Sequence, residues 1–139
     1  MEQGFEILEH TADIGIVARG KNLAEVFAQA AKGMFSLITD LNTVEERVER
    51  RVKVEAPDIE SLLVAWLNEL VYLFDTKNMV FKRFEFDEIN PTNLTARAYG
   101  EKLDKLRHPL KGAIKAATYH MLEVKKEDNH YEARVIFDI

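Results

Sequence analysis

Two aspartates from opposite ends of the chain, Asp13 and Asp138, are the residues whose setting most resembles a chemical site. Each falls at the edge of a predicted strand, and Asp138 immediately precedes Ile139. If the end of the chain folds back on the sheet, the Ile139 α-carboxylate joins both side chains. Three negative groups held together need a cation to offset their repulsion, which is a hard-metal site in outline. The same residues have a plainer reading, favoured by spacing alone, in which Asp13 caps the turn between the first two strands and Asp138 is the wet residue of a final strand. His10 either donates to Asp13 or touches the metal, or it simply bonds a neighbouring backbone carbonyl.

Other chemistries find little support. The chain has no cysteine, so disulfides, thiolate zinc sites and cysteine nucleophiles are excluded, and any metal must use carboxylate, carbonyl or imidazole ligands. The four histidines, His10, His108, His120 and His130, show no short metal-binding spacing. No P-loop, G-x-G-x-x-G, H-E-x-x-H, G-x-S-x-G or EF-hand loop is present. The stretch Lys111 to His120 combines two lysines with hydroxyl and imidazole groups; it reads either as a contact for a phosphate or acidic partner or as the lead into a strand.

The elements that would position these residues follow from hydropathy patterning. Phe5 and Ile7, then Ile14, Ile16 and Ala18, mark short strands at 5–9 and 14–20, broken at Thr11-Ala12-Asp13. Leu23, Val26, Phe27, Ala30, Met34, Phe35 and Ile38 recur at helical intervals and predict a helix over 23–38, with Asn22 and Glu25 as a capping box. Val48, Val52, Val54 and Ala56 alternate with charged residues over 47–56, a strand with one wet face in which only Arg50 breaks the pattern. Asp58 caps a second helix whose segment from Leu62 to Phe74 is apolar nearly all round and must be covered on more than one side. Four further strands are expected at 79–89, 93–103, 117–126 and 130–138, with a bulge between Phe81 and Phe84 and tight turns at Asn90-Pro91-Thr92 and Asp128-Asn129. This predicts an α+β fold: two long helices packed on a mixed or antiparallel sheet with C-terminal hairpins, one domain over residues 1–139.

Composition sets the class. A chain of 139 residues, 47% hydrophobic and 31% charged, is long enough for a core without disulfides or a structural metal. Neither a signal sequence nor an apolar run of membrane-spanning length is evident, so a cytoplasmic protein with no membrane partner is expected. The net charge of -5 opposes a phosphate backbone at long range, so neither DNA nor direct RNA binding is expected. Lys102, Lys105, Arg107, Lys111 and Lys115 are the candidates for a local basic patch or, equally, for a solvated surface.

Four segments in order, H-T-A-D-I-G at 10–15, W-L-N-E-L-V-Y-L-F-D at 66–75, K-A-A-T-Y-H at 115–120 and the final F-D-I at 137–139, resemble the archease family across nearly the whole chain. The resemblance implies an accessory protein, not itself an enzyme, that activates an RtcB-type RNA ligase in tRNA splicing. It would promote guanylylation and multiple turnover of the ligase, which itself handles RNA and GTP. The family's metal site carries over to Asp13, Asp138 and Ile139, and oxygen ligands suit calcium, magnesium or manganese. Lys115, Tyr119 and His120 lie in a matching segment and are candidates for contacting the ligase or its nucleotide. Two other classes fit the residues: a metal-dependent hydrolase with His10 as general base, and a protein chaperone or interaction module.

Overall fold

The computed structural model describes residues 3–9 and 13–139. The chain runs β1 (Gly4–Glu9), β2 (Asp13–Gly20), α1 (Leu23–Ile38), a 3-10 turn (Leu41–Thr43), β3 (Val48–Glu55), α2 (Ile59–Lys77), β4 (Met79–Asn90), β5 (Asn93–Lys102), β6 (Ala116–Ala117), β7 (Glu123–Lys126) and β8 (Tyr131–Asp138). The result is α+β, but the single sheet expected from the sequence is two. One has the order β1-β2-β8-β6 with β7 also on β8, the other the order β3-β5-β4, and every pairing is antiparallel.

Each helix packs against both sheets: α1 against β1, β2, β8 and β4, and α2 against β3, β4, β6 and β7. This explains why α2 is apolar nearly all round, since Leu62, Leu63, Val64, Trp66, Leu67, Leu70 and Val71 are all buried on it. The Trp66 Nε1–H donates to the Phe27 carbonyl at 3.1 Å and joins the helices, while its ring meets Phe84 and Phe86 of β4 at centroid distances of 5.8 and 5.1 Å. Asn22 accepts from the Glu25 N–H at 2.9 Å and Asp58 from the Ser61 N–H at 2.8 Å, which are the expected caps. Among the described residues, no helix is long and apolar enough to cross a membrane.

The predicted bulge in β4 is present between Phe81 and Arg83, and a second, unforeseen one lies between Phe86 and Glu88. Gly100 sits opposite the first: a Cβ there would fall 1.9 Å from the Val80 carbonyl oxygen, so the close backbone approach demands glycine. The strand expected at 117–126 is interrupted. Phe137 pairs with Ala117 and Arg134 with Glu123, so three steps along β8 face six steps of the opposing chain. The surplus loops out between β6 and β7, with Met121 in the left-handed region at φ 53°.

Candidate functional site

β2 is hydrogen-bonded to β8 in a register that places Asp13 directly opposite Asp138. Directly opposed residues project to one face with Cβ atoms about 4.5–5.5 Å apart, and like charges there are destabilising. Alternation assigns that face: Ile14, Ile16 and Ala18 point to the helices with Phe137, Val135 and Ala133 across from them, so Asp13 and Asp138 lie on the outer face. On the far side of Asp138 stands Ala116, whose small side chain leaves the carboxylate uncrowded.

The arginines of this face do not neutralise the pair. Arg19 is engaged by Glu6 at 3.2 Å and Glu132 at 3.1 Å, and it lies about 20 Å along the strand from Asp13. Arg134 is engaged by Glu123 at 3.4 Å. Among the described residues, no ion pair reaches Asp13 or Asp138. Asp13 Oδ1 is buried and, among the described residues, without a hydrogen-bond partner, a costly arrangement for a carboxylate oxygen that a bound cation would relieve. The donors are oxygens, which suit calcium, magnesium or manganese. Among the described residues no third His, Asp or Glu side chain completes a cluster with them.

The supporting structure is specific. Gly15, two residues on from Asp13 in β2, packs beneath Ile136: a Cβ on it would lie 2.6 Å from Ile136 Cδ1 and 3.1 Å from the Val135 carbonyl oxygen. Asp138 is secured from the other side, where its carbonyl accepts from the Lys115 N–H at 2.9 Å. Thr118 donates both its N–H, at 3.0 Å, and its hydroxyl, at 2.8 Å, to the Ile136 carbonyl. Ala117 turns its own polar groups away from β8, and Asn68 of α2 takes both: its Oδ1 accepts from the Ala117 N–H at 2.8 Å and its Nδ2 donates to the Ala117 carbonyl at 3.2 Å. A helix side chain thus takes the place of one more strand.

The remaining sequence-predicted residues are more dispersed. Lys115 is exposed and joins the site through its backbone. Tyr119 and His120 are exposed on the loop between β6 and β7, and His10 lies outside the described residues. Ile139, half exposed, lines an apolar cleft of about 390 Å³ with Ile14, Leu37, Ala113, Ile114 and Lys111.

Sequence reasoning did not single out a buried polar centre beneath the loop 103–115. Glu101 is 3% exposed and His108 fully buried. Glu101 accepts from the Glu45 N–H at 2.7 Å, from His108 Nε2 at 3.0 Å, from Arg107 and, at 3.2 Å, from Arg47. His108 Nδ1 accepts from the Asp104 N–H at 2.8 Å, which leaves the ring proton on Nε2 for Glu101. Burial disfavours the Glu101 charge, yet the Glu45 N–H, Arg107 and His108 outweigh it and hold its carboxyl at about 2. The one signal in the sequence was an acid beside Gly100, at the end of an alternating strand, followed closely by Arg107-His108.

Residues 5–139 match the Archease protein family (MTH1598/TM1083). The archease of Methanosarcina mazei is 44% identical, over 97% of this chain and 95% of that protein. That of Sulfurisphaera tokodaii is 41% identical over 99% of each. The solution structure of Methanobacterium thermoautotrophicum protein 1598 superposes with a TM-score of 0.80 at 41% identity, covering 98% of this chain and 99% of that one. A crystal structure of a Thermotoga maritima archease, described as a possible chaperone, shares the fold with a TM-score of 0.61 at 22% identity, over 95% and 94% of the two chains. With the family match running from residue 5 to residue 139 and relatives 41–44% identical over nearly the whole chain, the chain belongs to the archease family.

Proposed function

We propose that this chain is an accessory activator of an RtcB-type RNA ligase in tRNA splicing, promoting guanylylation of the ligase and its multiple turnover. The observation that carries the reading is the direct opposition of Asp13 and Asp138, with Asp13 Oδ1 buried and, among the described residues, without a hydrogen-bond partner. Asp13, Asp138 and the main-chain oxygens of Ile139 are the groups that would hold a divalent cation, whether calcium, magnesium or manganese. Bound there, the cation supplies positive charge against phosphate oxygens. The chain's own part is positioning: β2 and β8 fix the two carboxylates on one face, and Lys115 and Asn68 hold the end of β8 in place. Lys115, beside the end of β8, and Tyr119 and His120, exposed on the loop between β6 and β7, are the contacts for the ligase or its nucleotide. The covalent chemistry, and with it the handling of RNA and GTP, stays with the ligase.

The test is RNA ligation by a cognate RtcB-type ligase at limiting concentration, with GTP and divalent metal, with and without this protein. A rise in turnover number supports the reading, and no change at any ratio of the two folded proteins refutes it. Asp13→Ala should abolish stimulation without lowering the melting temperature measured in chelator; full stimulation by that variant would sink the carboxylate site. A second reading, binding of unfolded clients, draws on the exposure of Leu106, Tyr119 and Met121. Suppressed aggregation of unrelated clients without any ligase would favour it.

A further inference from the structure

The loop from Leu103 to Lys115 joins three ends of the fold. The Leu103 N–H donates to the carbonyl of Asn78 at the end of α2 at 2.7 Å, the Lys111 N–H to that of Ile38 at the end of α1 at 2.8 Å, and the Lys115 N–H to that of Asp138. Because α1 runs back along β2, the loop lies at the same end of the molecule as Asp13 and Asp138.

Its apex is a fixed turn. The Asp104 carbonyl accepts from the N–H groups of Arg107, at 3.0 Å, and His108, at 2.7 Å, and its carboxylate accepts from the Leu106 N–H at 3.0 Å. Buried His108 and Glu101 bolt the turn to β5 from below. Held at the tip, Leu106 is 97% exposed, and Leu110 on the same loop is 53% exposed. Lys102, Lys105 and Lys111 flank these leucines, all exposed and, among the described residues, without an ion-pair partner. The turn that carries Leu106 is braced from below by the buried Glu101 and His108, which hold its apex in one place. An apolar side chain already fixed in position loses little freedom on binding, which is how a docking anchor gains affinity.

We infer that the turn at Leu106 is a docking knob for a folded protein partner that presents an apolar pocket rimmed with carboxylates. Leucine at the apex selects a protein over a phosphate backbone, and the free lysines select the acidic rim. Resting on the proposed function, the partner is the ligase: the knob seats it, and the carboxylates at the same end act on it.

Titration of the ligase with this protein, reading ligation rate with GTP and manganese, separates the two roles. Leu106→Asp should raise the concentration for half-maximal stimulation at least tenfold with the same plateau at saturation. Lys105→Glu should raise it less, with a difference from wild type that closes as salt is added. A Leu106→Asp curve superimposed on wild type, or one with a lowered plateau and no shift, would overturn the knob and leave the activator reading standing. If Lys105→Glu alone shifts the curve and this protein retains RNA on its own, the loop contacts RNA and the protein pocket is wrong. If wild type itself neither binds nor stimulates the ligase, the proposed function falls and the docking assignment falls with it.

Discussion

Replacing Glu101 with Gln should destabilise the protein by an amount that depends on pH in a defined direction. The carboxyl is held at about 2 against an ordinary value of 4.5, because the Glu45 N–H, Arg107 and His108 favour its charged form more than burial disfavours it. A folded-state value below the unfolded one stabilises the fold at pH above the ordinary value, and that contribution is lost as pH falls toward the folded value. At about 1.4 kcal/mol for each pH unit of difference, the charge contributes on the order of 3 kcal/mol at pH 7 and about half of that at pH 3. Gln keeps the shape and one acceptor but cannot ionise. Urea unfolding of both proteins at pH 7 and pH 3, with slopes compared to verify a common unfolded state, reads the difference directly. The gap should narrow by roughly 1–2 kcal/mol on acidification. A gap of equal size at both pH values would refute the reasoning and make Glu101 a matter of packing and hydrogen bonding alone.

Asn68→Ala leaves the Ala117 N–H and carbonyl without partners; we expect a loss of about 1–3 kcal/mol and faster hydrogen exchange at Ala117, and unchanged protection there would refute the clamp. Gly100→Ala drives a Cβ into the Val80 carbonyl and should cost several kcal/mol, more than about 3, measured as a fall in soluble folded yield or in denaturation midpoint. Asp13→Asn removes one of two opposed charges: in chelator it should melt at or above the wild-type temperature, reflecting about 0.2–1 kcal/mol of relieved repulsion, whereas calcium or manganese should raise the melting temperature of wild type only.

Both long helices could be read from the chain because their signals are local. The repeat from Leu23 to Ile38 and the caps Asn22 and Asp58 need no distant partner to be recognised, and the all-round apolar face of α2 correctly implied cover on several sides. The break between β6 and β7 was illegible for the opposite reason: it depends on the Ile136 carbonyl and on Asn68, respectively 18 and 49 residues from their partners. The division into two sheets likewise depends on which strands meet, which alternation does not encode. For the candidate site, strand-end positions were enough to select Asp13 and Asp138, but their opposition is a fact of register. Glu101 escaped notice because its partners come from two separate segments and include a backbone N–H, which carries no residue type to read.

The break between β6 and β7 also governs how this protein behaves in crowded solution. A long, flat outer strand beside β8 would offer a row of open backbone groups to any other extended chain, the usual seed of edge-to-edge aggregation. Here the outer rank is cut into a two-residue piece and a four-residue piece. On the first, the outward N–H and carbonyl of Ala117 are already occupied by Asn68. The second ends in Lys125-Lys126, charges of the kind that repel strand addition. The side chain that secures the end of β8 therefore also closes the place where a foreign strand would start to pair.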